Sequence, residues 1–184
     1  MQTHELPDQD ITLRAAAADD APTILMMTRA AFEEFRNRLD PPSGALDETL
    51  EDLIASAFQP DHGAVLAFVQ GQPAGVLRWS IPPERGYLYV GRVAVLPAYR
   101  RRGIASALMR WIDAHAAALG LPAVQFGVRL QAPENIRFYE RLGYHISEYA
   151  HHAGYALPTF VWMRKDLSAS TLPAPDHQHG SSAE

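Results

Sequence analysis

Apolar and polar positions recur with two periods along this chain, and the switches between them divide it into strands and helices. Ile11 and Leu13 alternate with Thr12 and Arg14, the period of a half-buried strand over residues 11–14. Asp19 or Asp20 then offers a cap, and Pro22 a first-turn proline, to a helix in which Ile24, Met27, Ala31 and Phe35 recur at helical spacing. One stripe of that helix faces a core. Pro41-Pro42-Ser43-Gly44 breaks the pattern, and residues 47–58 give a second, shorter helix. Two apolar runs, residues 64–70 and 75–81, flank Gly71-Gln72-Pro73-Ala74 and predict a hairpin. Residues 87–96 form the longest strand candidate. Pro97 has no N–H for a ladder, so this strand is predicted to end or bulge there.

The second half repeats the alternation. Ile104, Leu108, Trp111, Ile112, His115 and Leu119 stripe a helix that Gly120-Leu121-Pro122 stops. His115, inside that stripe, reads as a core histidine. Residues 123–129 form a strand, 133–142 a short helix, and 144–149 and 160–166 two closing strands. Strands and helices thus interleave around one mixed sheet, without an internal repeat. A chain of 184 residues suits one domain with a sizeable core, predicted over residues 11–167 with flexible termini at 1–10 and 168–184. The second of these is mostly Ser, Ala, Pro, His and Gly, too poor in large apolar side chains to offset its ordering entropy. His177 and His179 there read as tail residues rather than metal ligands.

Composition narrows the chemistry. No cysteine is present, which excludes disulfides, thiolate zinc sites and a cysteine nucleophile, and fits a reducing cytoplasm. The first ten residues lack the basic start and apolar run of a signal peptide, and no stretch reaches ~20 apolar residues, so a soluble cytoplasmic protein without a membrane partner is expected. With 16 basic against 21 acidic residues, a net charge of -5 and a pI near 5.9, the chain lacks the broad positive footprint of a nucleic-acid partner.

Against that acidic background stand Arg100, Arg101 and Arg102, followed by Gly103 and the helix start Ile104-Ala105-Ser106. Alone, such a run reads as a solvated turn, a nucleic-acid contact or an anion site. Its position after a strand and before a helix favours the anion. A helix N-terminus presents unpartnered N–H groups and a positive dipole end, and a glycine lets a ligand oxygen approach the main chain. The turn lacks the Lys-Ser/Thr of a P-loop and the three-glycine spacing of a dinucleotide fold, so the phosphorylated ligand is of another kind.

Val93-Ala94-Val95-Leu96-Pro97 followed by Arg100-x-x-Gly103-x-Ala105 resembles the acyl-CoA signature of the GNAT superfamily of N-acetyltransferases, Arg/Gln-x-x-Gly-x-Gly/Ala. About thirty residues on, Asn135 to Tyr144 resembles the family's asparagine-to-tyrosine helix closed by Leu-Gly-Phe/Tyr. The resemblance implies an α/β (α+β) fold, a central mixed and mostly antiparallel sheet of about seven strands flanked by about four helices. It implies acetyl-CoA as co-substrate, with no metal, held by Val93, Ala94, Val95, Arg100, Arg101, Arg102, Gly103, Ile104, Ala105, Ser106, Asn135 and Tyr139. Asn135 and Tyr139 lie within ~40° on a helical wheel with Phe138 and Leu142 on the same side, which by spacing alone reads as a structural pair, a helix-end asparagine and an amphipathic core tyrosine. The resemblance assigns Asn135 to the pantetheine arm and makes Tyr139 the catalytic donor to the departing sulfur. A thiol titrates near ~8.5 and a phenol near ~10, so full proton transfer from Tyr139 is uphill by ~2 kcal/mol and a hydrogen bond is the expected role.

The implied reaction is direct attack by a primary amine on the thioester in a ternary complex, with a backbone N–H near Val95 meeting the developing oxyanion. Many relatives carry a glutamate on the strand before the cradle; here Tyr87 and Tyr89 occupy the equivalent positions, which leaves the base unassigned among Glu84, Glu148, His145 and His151 or a water chain. The three histidines between 145 and 152 read as partly exposed strand and turn rather than a metal site. Phe32, Phe35, Arg36, Trp79, Tyr149 and Tyr155 lie on elements that shape the acceptor site in the family. The acceptor itself, a small-molecule or peptide amine, stays open, as does a homodimer. A second class also stays open, a non-catalytic acyl-CoA-binding sensor or regulatory module, which the missing carboxylate favours and Tyr139 disfavours.

Overall fold

The computed structural model describes residues 11–83 and 86–167. The expectations for the two termini, and for Glu84 as a base, fall outside the described residues. Seven strands and four α-helices are seen among the described residues: β1 (Ile11–Ala15), α1 (Ala21–Phe32), α2 (Leu50–Ala57), β2 (His62–Val69), β3 (Gln72–Ser80), β4 (Leu88–Val95), α3 (Ile104–Ala118), β5 (Ala123–Arg129), α4 (Pro133–Arg141), β6 (His145–Ala150) and β7 (Phe160–Asp166). They form one sheet in the order β1-β2-β3-β4-β5-β7-β6, antiparallel except for β4 against β5.

Boundaries shift where local hydrogen bonding outweighs the apolar pattern. The first helix stops at Phe32, and Phe35 falls in a following turn of 3-10 helix. Asp20 precedes the helix without capping it, because its carboxylate is taken by Arg14 and by the Ala17 N–H. The second helix starts later than predicted, at Leu50, where Thr49 and Asp52 exchange the reciprocal bonds of a capping box. Leu119 lies just past the end of α3 and is exposed.

Two apolar layers cover the sheet. Leu77, Leu88 and Val90 pack with Ile104, Leu108 and Ile112 of α3 on one face, whereas Leu66, Val76 and Ala94 pack with Ile24, Met27 and Leu53 of α1 and α2 on the other. His115 sits in the first layer between two indoles, its ring centroid 4.8 Å from those of Trp111 and Trp79. On the opposite face Arg78 and Arg92 stand side by side across β3 and β4. Glu48 chelates Arg78 through two contacts of 2.8 Å and ties the loop before α2 to the sheet.

Two irregularities of β4 create the site. Arg78 pairs with Arg92 while Trp79 pairs with Val90, so Gly91 is an extra residue in the strand. The bulge therefore lies at Gly91, and the strand ends at Val95, two residues before Pro97. Parallel pairing with β5 holds only at Leu88 with Val124 and at Tyr89 with Gln125. Beyond those two rungs the strands part.

Candidate active site

The parted strands open a cavity of about 1130 Å³ that runs between β4, β5, α1, α4 and the start of α3. Ladder geometry aims the β4 backbone into it. Leu96 donates its N–H to Ala74 on β3, so by alternation the amides of Val95 and Val93 face the opposite edge, toward the gap. On the facing strand Leu130 donates to Thr159 beside β7, which turns Gly127 and Arg129 toward the gap by the same rule.

At one end lies the start of α3. Gly103 adopts φ 79° and ψ 1°, and Arg101 also has a positive φ of 59°. An L-residue with a side chain is strained at such angles, and nothing lies within 4 Å of where a Cβ on Gly103 would stand. The loop thus presents open space over the unpartnered amides of a helix of 15 residues, the surroundings a pyrophosphate requires. Arg100 is largely engaged with the protein, donating to the Val95 carbonyl at 3.4 Å and the Ala31 carbonyl at 3.1 Å and pairing with Glu34 at 2.9 Å. It clamps the end of β4 to α1 and so holds the cradle in place.

At the other end stands Tyr139 on α4. Its ring packs edge-on against Phe126 at 4.6 Å and Phe138 at 4.9 Å. Burial pushes the phenol well above its ordinary value, so it stays protonated and able to donate. The Leu142-Gly143-Tyr144 corner explains how a helix of nine residues holds this side chain. Gly143, at φ 88°, lets Tyr144 donate its N–H back to the Tyr139 carbonyl at 3.1 Å and Gly143 donate to Glu140 at 3.0 Å, a Schellman closure. The Tyr144 hydroxyl then donates to Asp113 of α3 at 2.5 Å, and Lys165 bridges Asp113 at 2.6 Å to the Leu142 carbonyl at 2.9 Å. The tyrosine that ends the motif is thereby the anchor of the one that faces the cavity.

Of the residues singled out from the sequence, Val93, Val95, Arg100, Arg101, Gly103, Ile104, Ala105, Ser106, Asn135 and Tyr139 line this one cavity. Ala94 and Arg102 do not. Ala94 is buried against α1 and α2, and the Arg102 guanidinium lies over the Tyr99 ring, 5.4 Å from its centroid. Of the acceptor candidates, Phe32 and Phe35 line the cavity; Trp79 faces the α3 layer instead, and Arg36, Tyr149 and Tyr155 lie off its wall. Tyr89 lines it and Tyr87 does not. Glu148, His145 and His151 are exposed and also lie off the wall.

Sequence reasoning missed Arg92, Arg129, His152, Phe160 and Trp162, all on the wall. Their signal was alternation: Gly127 and Arg129 pair with Trp162 and Phe160, so one face of β5 and β7 was readable once their register was known. His152 was beyond such reading because it lies in a loop, where its Nδ1 meets the Thr159 hydroxyl at 2.6 Å. Burial, with help from Arg129, lowers the His152 pKa and keeps the ring neutral. Among the described residues no cluster of three metal-ligating side chains occurs, and no helix is long and apolar enough to cross a membrane.

Residues 26–144 match the model of the acetyltransferase (GNAT) family. Solved structures share the fold. The PaiA N-acetyltransferase of Thermoplasma acidophilum in complex with coenzyme A aligns with a TM-score of 0.70 at 17% identity, over 85% of this chain and 99% of that one. Ard1 of Thermoplasma volcanium aligns at 0.67 and 19% identity, over 85% and 95%. The ribosomal-protein-S18-alanine N-acetyltransferase of Escherichia coli aligns at 0.62 and 16% identity, over 86% and 94%. With the family match covering well over half of the chain, this protein belongs to the GNAT family of acetyltransferases.

Proposed function

We propose that the protein transfers an acetyl group from acetyl-CoA to a primary amine by direct attack in a ternary complex. The observation that carries this reading is the single cavity that joins the Gly103 helix start to the Tyr139 phenol along the open edge of β4. Acetyl-CoA supplies an acyl group already activated as a thioester. The amides from Arg101 to Ala105 hold its pyrophosphate, and Asn135 holds the pantetheine arm. The outward-facing Val93 and Val95 amides hydrogen-bond along that arm, with Val95 meeting the charge that grows on the carbonyl oxygen.

The amine nitrogen forms the new C–N bond as the C–S bond breaks. Tyr139 donates a hydrogen bond to the sulfur that leaves. The upward shift of its phenol widens the gap to a thiol, so stabilisation of the thiolate is its role rather than complete transfer. The attacking amine must lose a proton. His152 is the imidazole on the cavity wall among the described residues; in the tautomer that donates from Nδ1 to Thr159, its Nε2 accepts that proton directly or through water.

The test is thiol release from acetyl-CoA across an amine panel, run beside calorimetric titration with CoA. Release with at least one amine supports the enzyme. CoA binding with no release on any amine supports the sensor, and no CoA binding overturns both.

A further inference from the structure

The proposed acceptor end of the cavity carries a guanidinium to which no described residue offers a hydrogen-bond acceptor. Arg92, after the Gly91 bulge, points to the α1 side of the sheet, where its guanidinium lies over the Phe32 ring, 5.8 Å from the centroid. Its Nε is buried without a hydrogen-bond partner, and no described residue accepts a hydrogen bond from any of its nitrogens. The carboxylate whose field reaches it, Glu48, accepts its hydrogen bonds from Arg78, which stands beside Arg92 as a like charge. The acidic residues on the cavity wall are also taken: Glu34 pairs with Arg100 at 2.9 Å, and Glu134 lies 3.9 Å from Arg38. Across the gap Arg129 donates to the Pro41 carbonyl, but its Nε too is buried and unpartnered.

A guanidinium stays charged at any working pH, and one that is partly buried, with a buried Nε that meets no acceptor and only a shared carboxylate nearby, is costly, so a fork of this kind in a cavity wall calls for an anion. That anion is not the CoA pyrophosphate. The pyrophosphate cradle begins beyond the end of β4, at Arg101 to Gly103, whereas Arg92 lies within β4 on the face of Tyr89 and Trp162, whose rings meet edge-on at 6.2 Å. A carboxylate fits the guanidinium fork in a bidentate manner, and the neighbouring walls are aromatic.

Resting on the acetyltransferase reading above, we infer that the acceptor is an α-amino acid with an apolar side chain, its carboxylate held by Arg92 and its side chain lying among Phe32, Tyr89 and Trp162. Arg129 reinforces the positive field from the opposite strand. A peptide N-terminus, whose neighbouring carbonyl carries no charge, satisfies the site poorly.

The test compares L-phenylalanine with L-phenylalaninamide and 2-phenylethylamine in thiol release from acetyl-CoA. Removing the carboxylate is expected to lower kcat/KM by about 10- to 100-fold, the range for a lost hydrogen bond between charged groups. The amide's amine is the less basic, which biases the comparison against the inference. Arg92→Gln should bring the three rates toward one another by raising KM for the amino acid, and Arg92→Lys should restore part of the preference. CoA titration of each variant reports that it is folded. Equal or better use of the two probes without a carboxylate, with CoA binding intact, overturns this inference and leaves acetyl transfer standing. If CoA binds and no probe turns over, N-acetyl-L-phenylalanine and its amide are titrated into the CoA complex. At least tenfold tighter binding of the acid supports the inference, and equal binding or none overturns it. Failure to bind CoA at all overturns the acetyltransferase reading on which it rests.

Discussion

Tyr139 joins a structural role to the chemical one proposed for it. Its ring belongs to an aromatic group with Phe126, Phe138 and Tyr144, and its hydroxyl has no hydrogen-bond partner among the described residues. Tyr139→Phe keeps the packing and removes the donor. Turnover should fall by about 10²–10⁴-fold, with CoA affinity nearly unchanged by calorimetry. His115 offers the opposite case, an imidazole with no place in the chemistry. Its Nε2 is buried without a partner, and burial depresses its pKa. The unfolded chain therefore takes up a proton below pH ~6.5 that the folded chain refuses. Stability contributed by the neutral ring is present above that pH and is lost as pH falls toward the depressed folded value. Urea midpoints at pH 7.5 and 5.5 should differ more for the wild type than for His115→Phe, which retains the stacking. His115 was legible as a core residue from its place in the α3 stripe. Arg92 was not, since a charged residue in a strand looks solvent-facing until a bulge and a cavity turn it inward.

Among the elements, α3 depends on a glycine far from it in sequence. A Cβ on Gly75 of β3 would stand 3.0 Å from the Ala94 carbonyl oxygen and 3.0 Å from Cγ2 of Ile104, the first residue of α3. Gly75→Ala should cost about 1–3 kcal/mol by overpacking, read from urea unfolding. Because the side chain pushes on the end of α3 that carries the cradle, CoA affinity should fall as well. A core substitution of equal cost at the far end of α3 should spare that affinity. Element identities were legible throughout from apolar spacing, because periods of two and of 3.6 leave different marks in sequence. Their ends were less so. Thr49 with Asp52, and Asp20 with Arg14, set boundaries through side-chain hydrogen bonds that hydrophobicity does not record.

At the scale of the whole molecule, two half-sheets share only two rungs, and α3 with its apolar layer bridges them. The gap is an incomplete ladder, and a ligand that runs along β4 completes it. Saturating CoA at 100 times its Kd should slow opening-limited amide exchange by about 100-fold. The effect should be largest at Val93, Val95 and Gly127, whose N–H groups face the gap, as amide hydrogen exchange by NMR would show. The order of the motifs made the proposed CoA site readable in the chain, but the proposed acceptor chamber was not, because it is assembled from α1, β4, β5, β7 and a loop that meet only in three dimensions. Gly91 carries a further consequence. Side chains on a strand obey parity, and this one inserted residue resets the count. Were it to take an ordinary rung instead of bulging, even would exchange for odd across the rest of β4, sending the Arg92 guanidinium into the hydrocarbon beneath α3 and the side chains of Val93 and Val95 to the α1 face. Which chemistry faces which compartment is thus decided by a residue that has no side chain of its own.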